Sequence, residues 1–205
     1  MPLIKQEVSA TRAWGLWKIE EPEEQLRLAA PEIIPQEIKH PEKRLEYLAV
    51  RAVIKKLLNE WGMGFEGLTK NEHGKPFLKN SSFYVSLSHS FPYVTAIVDK
   101  EKEVGIDLEH SKPKLSRIAP RMLHPTEYED AGNDITKLCI YWCAKEAMLK
   151  VYGKKDIIFA KNLLVSPFSL QKRGNLIGRI IVEDRQTTLT LRYQIADTFA
   201  IVYNL

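Results

Sequence analysis

With 205 residues, 44% hydrophobic and 27% charged, the chain can bury one large core or two small ones packed together, and its composition is that of an ordinary soluble globular protein. A formal net charge of +4 favours acidic or phosphate-bearing partners by steering, but it is too weak to indicate nucleic acid. No apolar run approaches the ~18 residues of a membrane span, and the start "MPLIKQEVSATRAWG" lacks the parts of a secretory signal, so no membrane partner is expected and the location is read as cytoplasmic.

In chain order, "AWGLWKI" (residues 13–19) alternates as a strand, and "EEPEEQLRLA" starts a helix with acids in its first turn, where they suit the helix dipole. "HPEKRLEYLAVRAVIKKLLNEWG" reads as a long helix, with Pro41 near its start and Gly62 at its stop. After the turn-like "KNEHGKP" come three strands, "FYVSLSHS", "YVTAIVD" and "EVGIDLE". A second helical block begins near "HPTEYEDAG" and runs through "YWCAKEAMLK". It gives way to the β-rich tail "NLLVSPFSL", "LIGRIIVED", "TLTLRYQIA" and "FAIVYNL".

Helices followed by strands thus occur twice. Sliding Tyr47 and Leu48 onto Tyr141 and Trp142 puts Arg51 on Lys145 and Lys56 on Lys150, a faint sign of two similar halves with a boundary near Lys100 to Glu103. The expected fold class is α+β, each half a small, mostly antiparallel sheet packed with a long helix, residues 1–101 and 102–205. The cysteines Cys139 and Cys143, four apart on one predicted helix, fit two reduced packing thiols better than a disulfide framework, and no second cluster offers a zinc site.

Charges within "YWCAKEAMLK" carry the chemistry. Wound at about 100° per residue, Glu146 and Lys150 share a narrow strip with Cys139 and Cys143 on a helix apolar nearly all round, and Lys145 falls among the apolar positions. An ionised carboxylate on such a helix needs a cation or hydrogen bonds to offset its desolvation. In "VGIDLE" the carboxylates Asp107 and Glu109 project from one face of a strand. Shared with Glu146, they describe an oxygen-only site for Mg²⁺, with Mn²⁺ as substitute. Phosphate donors lie nearby in sequence: Ser86, Ser88, His89 and Ser90 in "SLSHS", Lys75 and Pro76 in the "HGKP" turn, and Arg44 and Arg51 near one helix face. Taken singly, a turn, a strand end and a solvated helix face explain these segments as well.

Together, "GKP", "SLSHS", "VGIDLE" and "WCAKEAMLK", in this order and at about these separations, resemble the Sfp-type 4′-phosphopantetheinyl transferases over residues 44–150. Ser86 departs from the family, which often has asparagine there. The resemblance implies a pseudo-dimeric fold of two fused halves with the active site between them, a monomer, and transfer of the 4′-phosphopantetheine arm of coenzyme A to a serine of an acidic apo carrier protein. It also implies residue roles: Asp107, Glu109 and Glu146 as Mg²⁺ ligands, Lys150 and Lys145 on the pyrophosphate, and Arg44, Arg51, Lys75, Pro76, Ser88 and His89 around the 3′-phosphate and adenine end. Glu146 is the first candidate for the serine's base, and Glu127 stands equally as a site glutamate or as a first-turn acid. Lys112, Lys114, Arg117 and Arg121, directly after the metal strand, form the expected docking segment, with a solvated loop as the competing reading. The rivals are a coenzyme A-binding module without catalysis and a Mg²⁺-dependent phosphohydrolase.

Overall fold

Proline and glycine bound the long helix of the first unit, Met1–Val104, in this computed structural model, which describes residues 3–30, 32–196 and 198–205. Strands β1 (Leu3–Val8) and β2 (Arg12–Lys18) form a hairpin, followed by α1 (Glu23–Ala29) and α2 (Pro41–Asn59). Pro41 takes the first turn of α2, where its missing N–H is no loss, and the chain leaves the helix through Gly62 at φ +70°, a conformation open to glycine at little cost. A short hairpin of β3 (Leu68–Lys70) and β4 (Pro76–Leu78) precedes β5 (Tyr84–Ser90) and β6 (Tyr93–Asp99). The antiparallel order is β1-β2-β6-β5. Ala13 and Trp17 of β2, and Val94, Ala96 and Val98 of β6, join the core with Ala49, Val53 and Leu57 of α2. Each large apolar side chain fully buried there contributes about 1.5–3 kcal/mol.

The second unit, Gly105–Leu205, runs β7 (Ile106–His110), α3 (Lys114–Met122), α4 (Pro125–Ala131), α5 (Ile135–Tyr152), α6 (Phe159–Asn162), β8 (Leu163–Val165), β9 (Arg173–Val182), β10 (Arg185–Ile195) and β11 (Phe199–Asn204). Its antiparallel sheet has the order β7-β11-β10-β9-β8, and α5 packs on β7 and β11. Asp134 opens α5 by accepting from the amides of Thr136 and Lys137 at 2.8 and 3.0 Å, and Gly153 closes it in the left-handed region at φ +77°. Between these caps no residue of α5 is exposed. Cys139 and Cys143 are buried free thiols, donating to the carbonyls of Glu109 and Ala200.

One strand pairing recurs in each unit. A strand leads into helices, and the last strand returns to pair antiparallel with it, β6 on β2 and β11 on β7, with the long helix packed on that pair. Five elements escaped the sequence reading: β1, the short strands β3 and β4, and helices α3 and α6. β1 hides because its half-exposed side chains give little alternation. Residues 114–122 form α3 and not a loop: Leu115, Ile118, Ala119 and Met122 keep helical spacing, but Pro113 and Pro120 mask it. No helix among the described residues is long and apolar enough to cross a membrane.

Candidate active site

Backbone contact between β7 and α5 brings the acidic residues of the second unit together. A Cβ on Gly105 would lie 1.9 Å from the carbonyl oxygen of Ala147, so only glycine lets the start of β7 press against α5 beside Glu146. The amide of Gly105 donates to Asn204 Oδ1 at 2.8 Å, tying this approach to β11. Gly105→Ala is therefore expected to cost about 3 kcal/mol or more, because backbone and not a flexible side chain must yield. Chemical denaturation measures it, and a loss below about 1 kcal/mol would contradict the packing.

From this junction Asp107 and Glu109 leave one face of β7. Lys150, one turn after Glu146, places Nζ 2.7 Å from Asp107 Oδ1 and 2.7 Å from the carbonyl of Ile106. Glu109 accepts from the amide of His110 at 2.9 Å and from Lys114 Nζ at 3.4 Å. Burial, and then the charge of Asp107, push Glu146 up to about 7; Lys150 opposes the rise and Glu109 adds to it. Three carboxylates and one lysine thus act on one another as a single electrostatic group.

This donor set suits a hard cation in chemistry: the ligands are all oxygen, and their mutual repulsion is what a divalent ion would relieve. In arrangement it is not gathered for one. Among the described residues no group of three His, Cys, Asp or Glu side chains converges on a point that could hold an ion, and the ammonium of Lys150 sits on Asp107 instead.

Lys145 turns away from this group. It is fully buried, with Nζ 2.6 Å from Glu127 Oε2 and 3.1 Å from the carbonyl of Phe159. Glu127, itself 1% exposed, also accepts from the amide of His124 at 2.7 Å and from that of Val165 at 2.6 Å. One glutamate thus fastens the start of α4, strand β8 and helix α5. The Lys145 stem packs in the core as its apolar sector on the wheel requires, but its ammonium is spent on Glu127 rather than reaching toward a ligand. Burial lowers the Lys145 pKa more than Glu127 raises it, the mark of a pair whose desolvation is heavy.

In the first unit a cavity of about 600 Å³, within the usual range of small-molecule sites, is lined by Lys39, His40, Lys43, Arg51, Lys70 and His89 around the buried Glu46. Alternation along β5 explains the "SLSHS" segment: Leu87 and His89 face the cavity, and Ser86 and Ser88 turn to the other, buried side. His89 Nδ1 lies 3.0 Å from Glu46 Oε2. Arg51 bonds Glu32 and the carbonyl of Tyr47, and stacks 3.3 Å above the Tyr47 ring.

The structure thus brings Arg51 and His89 together, and leaves Arg44, Lys75, Pro76 and Ser88 off this lining. Arg44 turns its fork onto Glu23 of α1 at 2.8 and 2.7 Å, and that hydrogen bond leads in holding the Glu23 carboxyl down at about 2. Lys75 pairs with Glu103 beyond an Asx turn in which Asn71 Oδ1 accepts from the amides of His73 and Lys75, with Gly74 at φ +84°. Lys39, Lys43, Glu46 and Lys70 were not singled out in the sequence. The signal was present, since Lys43, Glu46, Tyr47, Val50 and Arg51 follow the i, i+3, i+4, i+7 rule along α2 and all line the cavity.

Comparison with known proteins covers both units. Over 161 residues, 67% of this chain and 68% of the other, the sequence is 33% identical to the 4′-phosphopantetheinyl transferase HetI of Nostoc sp.. The chain belongs to the 4′-phosphopantetheinyl transferase superfamily. The sequence model of that superfamily matches residues 103–201, the stretch holding Asp107, Glu109, Glu146 and Lys150. Two further transferases of the family match over shorter stretches. The 4′-phosphopantetheinyl transferase Sfp of Bacillus subtilis is 34% identical over 89 residues, 40% of this chain and 39% of its own. An L-aminoadipate-semialdehyde dehydrogenase-phosphopantetheinyl transferase of Candida glabrata is 31% identical over 131 residues, 55% of this chain and 51% of its own.

Proposed function

We propose that this chain transfers the 4′-phosphopantetheine group of coenzyme A to a serine of an acidic apo carrier protein, releasing 3′,5′-adenosine bisphosphate. The observation that carries the reading is the charge group of Asp107, Glu109, Glu146 and Lys150 on β7 and α5, inside the stretch matched by the family. A binding role alone gives no reason to crowd three carboxylates on a buried helix and strand.

In this reading Asp107, Glu109 and Glu146 would hold Mg²⁺, or Mn²⁺ in its place, once Lys150 leaves Asp107. When bound, the ion supplies charge neutralisation at the pyrophosphate. Lys150 is one turn from Glu146 and releases Asp107 to bind the pyrophosphate and steady the leaving group. Glu146 takes the serine proton. Glu127 is the weaker candidate, because both its oxygens are already engaged, by Lys145 and two amides, in a site 1% exposed. In the first unit, His89 and Arg51 take the 3′-phosphate and adenine end, helped by the cavity's lysines. The enzyme works as a cytoplasmic monomer.

The carrier protein meets α3. Lys114, Arg117 and Arg121 are all exposed on it at spacings of three and four, and Lys112 precedes them, so one basic stripe faces solvent while Leu115 and Ala119 face the core. Reversing Lys114 and Arg117 to Glu is expected to raise KM for the carrier about tenfold or more and leave coenzyme A affinity within twofold, because rim charges set encounter rate and specificity. Steady-state kinetics and calorimetry measure the two, and an unchanged KM for the carrier would remove α3 from the docking surface.

Product analysis tests the reaction itself. With coenzyme A, Mg²⁺ and an apo carrier, 3′,5′-adenosine bisphosphate should appear in equal amount to modified carrier. Free phosphate instead would indicate a phosphohydrolase, and bound coenzyme A without product would indicate a binding module.

A further inference from the structure

The cavity of the first unit holds one buried acid among its cations. Glu46 is 1% exposed; its Oε2 takes Lys43 Nζ at 2.7 Å and lies 3.0 Å from His89 Nδ1. Its other oxygen, Oε1, is buried and has no hydrogen-bond partner among the described residues. Burial raises the pKa of Glu46, but the hydrogen bonds and charges of His89 and Lys43 outweigh it and leave the carboxyl below its ordinary range, so Oε1 carries charge. An ionised oxygen left without a donor in an interior is costly, and here nothing in the protein supplies one.

The groups on the other oxygen, Oε2, can move: the side chain of Lys43 is 55% exposed and that of His89 41%. A phosphate entering the cavity would draw both toward itself and open the Glu46 carboxylate to the bound ligand. The group then nearest Oε1 must be a donor lying within a few ångströms of the phosphate. Coenzyme A offers one, because its ribose carries a free 2′-hydroxyl on the carbon next to the 3′-phosphate, whereas the adenine amine lies across the nucleoside. We infer that Glu46 is a specificity-determining residue whose unpartnered oxygen accepts a hydrogen bond from the 2′-hydroxyl of a nucleoside 3′-phosphate held by Lys43 and His89. This rests on reading the chain as a coenzyme A-dependent transferase, and it adds to that reading a discrimination between ribose and deoxyribose. A buried acceptor left unpaired by the wrong sugar discriminates strongly.

Calorimetry with 3′,5′-adenosine bisphosphate and its 2′-deoxy counterpart tests it on the intact chain. The wild type is expected to bind the ribose form at least about tenfold more tightly, the size of a hydrogen bond to a charged group. Glu46→Ala should bring the ratio within about twofold; because both ligands are compared on the same variant, any change shared by them cancels. Should that variant fail to fold, Glu46→Gln keeps the shape without the charge and should cut the ratio at least about threefold. A wild-type ratio near one, in a protein that modifies a carrier, overturns the role of Glu46 alone. A ratio that survives Glu46→Ala does the same. No binding of either nucleotide to the wild type overturns both the role and the coenzyme A reading.

Discussion

Glu127→Ala is expected to cost about 3–5 kcal/mol of folding stability, among the largest losses a single substitution in this chain can cause. It would leave the fully buried ammonium of Lys145 without its counter-charge and the amides of His124 and Val165 without an acceptor. Lys145→Met should cost less, about 2 kcal/mol, because Glu127 keeps its two amide donors. Denaturant midpoints measure both, and losses under about 1 kcal/mol would contradict the account of the pair. Kinetics on Lys145→Met separates the two roles open to this lysine. A stability loss with KM for coenzyme A unchanged marks a structural cation; full stability with a raised KM would return it to the pyrophosphate.

Asp107→Ala and Glu146→Gln are expected to lower kcat/KM for carrier modification by about 10³-fold or more, because in the proposed reaction each removes a charge that serves the transferring phosphoryl group. Unlike Glu127→Ala, Glu146→Gln should leave the metal-free protein at pH 8 at least as stable as the wild type. Burial and the charges of Asp107 and Glu109 hold Glu146 up at about 7, so its ionised form is penalised in the fold, and removing the charge removes the penalty. The sign follows from linkage: a carboxyl raised above its usual 4.5 gives up stability as pH rises through the window from there to about 7. Activity within tenfold of wild type, or a stability loss beyond about 1 kcal/mol, would contradict the assignment of Glu146 to the site.

The contrast between neighbours 145 and 146 shows how far sequence carries. Periodicity put Lys145 in an apolar sector and Glu146 on a narrow strip; Lys145 is fully buried, and Glu146 is partly buried like its apolar neighbours Trp142 and Leu149. Periodicity could not name the partner of Lys145. Glu127 lies on another helix, and the contact depends on how α4 and α5 pack, which one chain's spacing does not encode. The same limit governs Arg51, laid on Lys145 by the faint helix repeat: each is a buried cation on a long helix, bound to a glutamate that precedes that helix. That both cations are held in this way is visible only in three dimensions. Spacing along the helix and the family resemblance picked Arg44, but Glu23 of α1 claims its guanidinium, and Lys43, one residue earlier, reaches the cavity. Ser88 and His89 adjoin in sequence, yet the period of β5 sends them to opposite faces. Gly105 sat unremarked inside a quoted motif, because the need for a bare Cα arises from the carbonyl of Ala147, more than forty residues on.

The central claim is that Asp107, Glu109, Glu146 and Lys150 serve transfer rather than binding or hydrolysis, and the intact mass of an apo carrier protein after incubation with this chain, coenzyme A and Mg²⁺ tests it most directly. A gain of one phosphopantetheinyl group on the carrier, lost in Glu146→Gln and on removal of the metal by a chelator, is the predicted result. An unchanged carrier mass, with coenzyme A shown to be bound and the carrier shown to accept the group from another transferase, would contradict it.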